Sequence, residues 1–214
     1  GAWSDGNNVR FLDNGVKKVA GYKEVMATCP FAPYYIHPYL TSSGLYYWIA
    51  YGATAIAVYT GTVWVDVTRA SGAYGANTSS RRWTATNLNG LVVATNGFDE
   101  PQMWPLSSGI PSTGTPFIAL SNWPNSAYSC KSIRSFRTFL VGLNWNRANP
   151  EPRLVKWSTE ASYGAAPSTW DETDATLDAG EYELSDTPGD IVDGLPLGDS
   201  FLIYKEDSIY IMNY

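Results

Sequence analysis

The chain has 214 residues, a formal net charge of −6, 44% hydrophobic residues and 16% charged ones. With 9 Trp, 15 Tyr and 7 Phe it is far too aromatic for a disordered chain, and the acidic residues gathered in 157–214 argue against that half gripping phosphate backbones. No apolar run approaches the length of a membrane span, and residues 1–5 show no basic region leading into an apolar core, so no signal peptide is expected there.

Residues 9–25 open with Arg10-Phe11-Leu12, a turn at Asp13-Asn14-Gly15, and Val16-Lys17-Lys18-Val19, the pattern of a hairpin. Residues 27–44 are rich in Pro and Tyr and read as loop. Residues 45–51 alternate, with Leu45, Tyr47, Ile49 and Tyr51 on one face; Ile56 to Tyr59 and then Val63, Val65 and Val67 follow. Turns at Gly52 and Gly61 make this a three-strand meander. Residues 70–80 are small and polar, a loop. Arg82 to Thr86 and Leu91 to Thr95 flank Asn89-Gly90, the best two-residue turn in the chain because both positions tolerate positive φ. Residues 98–117 carry Pro101, Pro105, Pro111 and Pro116 and read as loop. Residues 131–145 form another strand pair with weaker turn chemistry. The chain closes with Phe201 to Tyr204, a charged turn, and Ile209 to Ile211, a further hairpin.

No segment shows a helical period. Hairpin-like units recur at about residues 9–25, 45–67, 82–95, 131–157 and 199–212, so the expected fold is all-β: a single domain over 1–214 built as a β-propeller or propeller-like array of about five antiparallel blades. A β-sandwich is the alternative.

Charge is unevenly spread. Residues 1–156 hold 13 Lys and Arg against 7 Asp and Glu, a net of +6, whereas residues 157–214 hold 1 Lys against 13 Asp and Glu, a net of −12. One reading is a solvated acidic loop. The other is an acidic face, with Asp186, Asp190 and Asp193 as its candidate residues, that docks on a basic neighbour in a ring of identical copies or lines a lumen. Trp104, Trp123, Trp145 and Trp170 fall in loop-like stretches, where they can pack at interfaces or stack on sugars.

Chemistry finds little foothold. His37, the only histidine, sits among tyrosines without triad context. Asp99-Glu100 and Asp171-Glu172 supply carboxylates without a sign that they converge. Asp171, Asp174 and Asp178 lack the spacing of a calcium loop. No phosphate loop or nucleophile elbow occurs. Cys29 and Cys130 can pair or stay free, and the reducing cytoplasm favours the free state. The expectation is therefore a non-enzyme with no cofactor and no metal.

The wording along the chain resembles that of bacteriophage tail proteins carrying a β-propeller. The motifs are Gly6-Asn7-Asn8-Val9-Arg10-Phe11 with Lys18-Val19-Ala20-Gly21-Tyr22, then Ala57-Val58-Tyr59 to Trp64-Val65-Asp66-Val67-Thr68. Arg82-Trp83 with Asn89-Gly90 and Asn96-Gly97 comes next, followed by Val155-Lys156-Trp157-Ser158 to Trp170 and Leu197-Gly198-Asp199 to Ile211. Each motif is short; their order spans nearly the whole chain. The family comprises tail nozzle and tube-tip proteins of short-tailed phages. The resemblance implies a virion structural protein, made in the host bacterial cytoplasm and assembled as a ring of copies, usually six. It also implies contacts with adaptor and fibre proteins and passage of phage DNA without specific binding. A receptor- or glycan-binding module of the tail is the alternative.

Overall fold

Turn chemistry and strand alternation divide this chain into successive antiparallel meanders. The computed structural model describes residues 9–19, 24–41, 44–75, 82–107, 110–111 and 114–213. Trp3 to Asn8 and Ala20 to Tyr22 of the family-like opening lie outside the described residues, as do residues 76–81. β1 (Val9–Leu12) and β2 (Gly15–Lys18) form a two-stranded hairpin around Asp13-Asn14.

Sheet I contains β3 (Tyr35–Leu40), β4 (Tyr46–Tyr51), β5 (Ile56–Tyr59) and β6 (Trp64–Asp66) in that order. The meander expected over 45–67 is present, and residues 35–40, expected as loop, add a strand before it. Pro38 masked that strand. β3 lies at the edge of its sheet, where a missing N–H costs no ladder bond, and Pro38 pairs across to Trp48.

Sheet II begins with β7 (Thr84–Leu88) and β8 (Leu91–Thr95) and continues through β9 (Gln102–Trp104). A minor hairpin, β10 (Leu106–Ser107) with β11 (Ile110–Pro111), precedes β12 (Ile118–Ala119), which completes the sheet at the far edge of β9. The expected Asn89-Gly90 turn joins β7 to β8, with φ of 44° and 87° as a tight hairpin needs. The expected loop over 98–117 is corrected by β9, a strand that Pro101 and Pro105 keep to three residues.

Sheet III runs β13 (Ser129–Phe136), β14 (Phe139–Arg147), β15 (Asn149–Trp157) and β16 (Gly180–Glu183). Sheet IV has three strands: β17 (Ile191–Leu197), β18 (Ser200–Lys205) and β19 (Ile209–Asn213). The C-terminal hairpin is where the sequence places it. No α-helix occurs among the described residues, so no helix is long and apolar enough to cross a membrane.

The sheets stack in chain order with one core between each pair. Tyr39, Ile49, Tyr51 and Val58 of sheet I meet Ala85, Val92 and Trp104 of sheet II. The opposite face of sheet II, with Leu88, Leu91 and Val93, meets Ile133, Leu140, Trp145 and Leu154 of sheet III. The other face of sheet III, with Val141, Leu143 and Val155, meets Ile191, Phe201 and Ile203 of sheet IV. Sheet II is thus buried on both faces, which is why Leu91-Val92-Val93-Ala94 is continuously apolar. Three core layers between four sheets is not the two-layer arrangement of a sandwich. The end sheets leave apolar outer faces: Ile36, Leu40, Tyr46 and Trp48 on sheet I, and Leu195, Leu197, Ile209 and Ile211 on sheet IV, are exposed.

Candidate functional site

The first strands of successive sheets lie against one another, β3 on β7, β7 on β13 and β13 on β17. This convergence gathers polar side chains from all four sheets around Arg134 of β13. Its Nε and Nη2 donate to the two carboxylate oxygens of Asp193 at 3.0 and 2.6 Å, a bidentate pair. Nη1 donates to the Ala85 carbonyl of sheet II at 3.2 Å, and the Tyr35 hydroxyl of sheet I bears on the same guanidinium. Asp193 also accepts from the Ser132 hydroxyl at 2.5 Å and from the Gly194 N–H at 2.8 Å. A register irregularity between Ile191 and Asp193 marks the point where β17 reaches this centre. Burial would push the Asp193 carboxyl up, but the hydrogen bonds and charge of Arg134, with help from Ser132 and Gly194, hold it below the usual carboxylate range.

Beside this pair, the His37 Nε2–H donates to the Asn87 side-chain carbonyl at 2.9 Å and links sheets I and II. Burial lowers the His37 pKa, the Asn87 bond opposes that shift, and the nearby Arg134 charge adds to it. The ring is therefore neutral at pH 7, and its bond is structural. The Thr86 and Ser135 hydroxyls meet at 2.7 Å, and the Ser135 N–H donates to the Thr86 hydroxyl at 3.0 Å. The centre can hold four sheets in register. Its titratable groups are satisfied by one another.

A second polar cluster lies on sheet III. Lys156, only 2% exposed, pairs with Glu172 and with Glu181, the latter at 2.9 Å. Arg147 grips Glu151 through Nε at 2.6 Å and Glu181 through Nη1 at 2.8 Å. The group borders an open cavity of about 480 Å3 with Tyr128 and Trp170 in its wall. Arg147 and Lys156 offset two of the three glutamate charges, a net of −1, across β14, β15, β16 and the loop after Trp170.

These pairs revise the charge split. Glu172, Glu181 and Asp193 of the acidic half turn inward onto Lys156, Arg147 and Arg134 of the basic half, and Asp199 lies 3.5 Å from Arg137. Asp193 is therefore a partner of Arg134, whereas Asp186 and Asp190 stand exposed. Asp171 and Asp174 are exposed and cap their own turns by accepting from the N–H groups of Thr173 and Thr176. Among the described residues, no group of three or more His, Cys, Asp or Glu side chains is arranged to hold a metal ion. Asp99 pairs with Arg69 at 2.9 Å and accepts from Gly75 N–H, fastening the loop after sheet I. Cys29 and Cys130 are both free thiols.

The four tryptophans chosen from the sequence are interior. Trp104, Trp123, Trp145 and Trp170 are 0, 9, 1 and 2% exposed, and Trp104 and Trp145 lie in strands. Trp123 stacks on Trp145 with centroids 4.4 Å apart, and Trp170 meets Trp123 edge-on at 4.9 Å. Trp104 stacks on Phe117 at 5.9 Å. Their ring faces are used up in cores, so these four offer a sugar nothing to stack on. Arg134 was not singled out from the sequence; residues 131–136, Lys-Ser-Ile-Arg-Ser-Phe, hold two cations and no alternation that sets Arg134 apart.

No protein-family model matches the chain, and no curated protein matches it. Among solved structures the chain is similar to the crystal structure of the computationally designed Ika4 protein, with a TM-score of 0.51 and 11% identity. The match covers 90% of this chain and 99% of that one. At that identity the likeness concerns the fold alone.

Proposed function

We propose that the chain is a propeller-like arc of blades that serves as a structural, non-catalytic component of a bacteriophage tail, in a nozzle, tube tip or fibre-attachment platform. Sheets I to IV are its blades, and the hairpin β1–β2 precedes them. The observation that carries the reading is the stack itself. Four meanders follow one another with their first strands gathered around Arg134, while sheets I and IV expose apolar outer faces. Uncovered apolar surface of this kind marks contact with other proteins. The assignment to a phage tail rests on the order of the sequence motifs.

In this reading the protein works mechanically. It holds a channel or platform together with copies of itself and with adaptor and fibre proteins, and lets DNA pass without binding it. The exposed carboxylates of Asp171, Asp174, Asp186 and Asp190 suit such a path, because like charge keeps DNA from sticking. The glycan-binding alternative loses its support with the burial of the four tryptophans. Electron microscopy of the purified protein tests the proposal together with immunogold labelling of phage particles. Rings and tail-localised label are expected; monomers together with unlabelled virions would overturn it.

A further inference from the structure

Sheets I, II and III each have four strands, and sheet IV has three. Among the described residues no strand lies outside β19, so its outer edge is open there. Its geometry is definite. The Lys205 N–H donates to the Ser208 carbonyl at 2.8 Å, which makes that pair hydrogen-bonded. The alternation of an antiparallel ladder then turns the N–H and C=O groups of Ile209 and Ile211 away from β18. Beside this edge, the contact between sheets III and IV is unfilled. A cavity of about 380 Å3 opens there, walled by Val155, Trp157, Leu184, Tyr210 and Met212. A further one of about 210 Å3 lies against Phe136, Trp157 and Met212. In the preceding contact, between sheets II and III, Trp123, Ala161 and Trp170 are part of the packed core.

The same molecule carries a segment in the opposite condition. Among the described residues the hairpin β1–β2 is a sheet of its own, and Leu12, Val16 and Val19 are exposed. Two strands alone are marginal in water and gain stability by joining a larger sheet. The hairpin is basic, with Arg10, Lys17 and Lys18 against Asp13. The edge and its cavity are rimmed by exposed acids, Asp178, Asp186, Glu206 and Asp207.

Within one chain the hairpin hangs on a short tether beside sheet I. The Ala27 carbonyl is fixed by the indole N–H of Trp64 on β6 at 2.7 Å. The nine steps from Lys18 to Ala27 span about 30 Å when fully stretched. A neighbouring copy has no such limit.

We infer that the free edge of β19 is completed by strand addition from the basic N-terminal hairpin of a second copy, which docks head to tail as the fourth-strand position of sheet IV. Main-chain bonds to Ile209 and Ile211 give the contact its direction, and side chains of the added strand fill the cavities beside Met212. A heterologous contact of this kind closes into a ring when its rotation allows. The inference deepens the ring reading by naming the contact that joins the copies.

The experiment measures the mass of the full-length protein in solution by light scattering over a concentration series. Ile211→Pro removes an outward N–H without touching a bond of sheet IV, and Ile211→Val serves as its control. A second variant, Lys17→Glu with Lys18→Glu, alters only exposed side chains of the hairpin. The wild type and Ile211→Val are expected to associate, more weakly as salt rises. Each of the other variants alone is expected to need about tenfold more protein or higher for half-association. An equal mixture of the two restores heterodimers, because one carries an intact edge and the other an intact hairpin. Multimers that withstand both variants overturn this contact and leave the ring reading standing, whereas a wild-type monomer overturns both.

Discussion

Two sheet contacts in this protein are built from the same strand grammar and end differently. Between sheets II and III, Trp123, Trp145 and Trp170 lock together, and a bulge at Asn144, with φ of 56°, sets Trp145 over Gly142. A Cβ at Gly142 would stand 2.8 Å from that indole, so only glycine fits beneath it. Between sheets III and IV, Val141 and Leu143 of β14 pack with Ile191 of β17 and Phe201 and Ile203 of β18, and cavities open toward β19. Between sheets II and III, Trp123, Ala161 and Trp170 from the connecting loops complete the core. The first contact is a finished core, and the second has an open rim suited to a partner.

The largest test of that contrast is a pair of truncations. Trp145→Ala is expected to cost about 3–5 kcal/mol by removing the centre of a dense aromatic cluster. Met212→Ala, beside an existing cavity, is expected to cost about 1 kcal/mol, since it deletes fewer filled contacts. Urea denaturation measures both, and equal losses would erase the distinction between the contacts.

Next in size is the centre that ties all four sheets. Arg134→Met leaves the Asp193 carboxylate without its bidentate partner and is expected to cost about 2 kcal/mol. Adding Asp193→Asn should recover part of that loss, and a purely additive double-mutant cycle would show that the pair does not couple the sheets. Asp186→Asn, at an exposed position, should leave stability within about 0.5 kcal/mol.

Gly90→Ala should follow. Gly90 has φ of 87°, and an added Cβ would stand 2.9 Å from the Tyr163 ring. A loss of about 1–2 kcal/mol is expected in thermal unfolding. The Tyr39 hydroxyl donates to the Gly90 carbonyl at 2.7 Å, so the strain would also be felt where sheet I meets the β7–β8 turn.

The smallest effect is a pH dependence in two steps. The His37 pKa is lowered in the fold, so the unfolded chain binds the proton more readily and stability falls as pH drops through the unfolded value near 6.5. The Asp193 carboxyl is also lowered, so its contribution is present above the unfolded value of 3.8 and is lost as pH falls through the folded one. Denaturation series from pH 8 to pH 3 on the wild type and His37→Gln should show the upper step only in the wild type.

Strand and turn chemistry were legible along much of the chain. Asp13-Asn14-Gly15, Gly52, Gly61 and Asn89-Gly90 each lie at a turn between strands; Gly15, Gly61, Asn89 and Gly90 hold positive φ, whereas Gly52 gives room to the Phe31 ring. β3 and β9 were hidden, since proline reads as loop although a strand edge or a strand flank accommodates it. The tryptophans were legible as important but not as interior, because local sequence does not record which sheet will cover a side chain.

What the sequence determined by itself is local: all-β composition, hairpin positions, and the sharp partition of charge at Lys156. What only the tertiary structure decided is which surfaces meet. Arg134 finds Asp193 across 59 positions, and Lys156 finds Glu172 and Glu181 across 16 and 25. Turn and strand preferences act through the backbone of a few neighbouring residues. The pairing of distant charges, the burial of Trp145 and the vacancy beside β19 arise only when whole sheets stack, because each depends on area and charge brought together from separate parts of the chain.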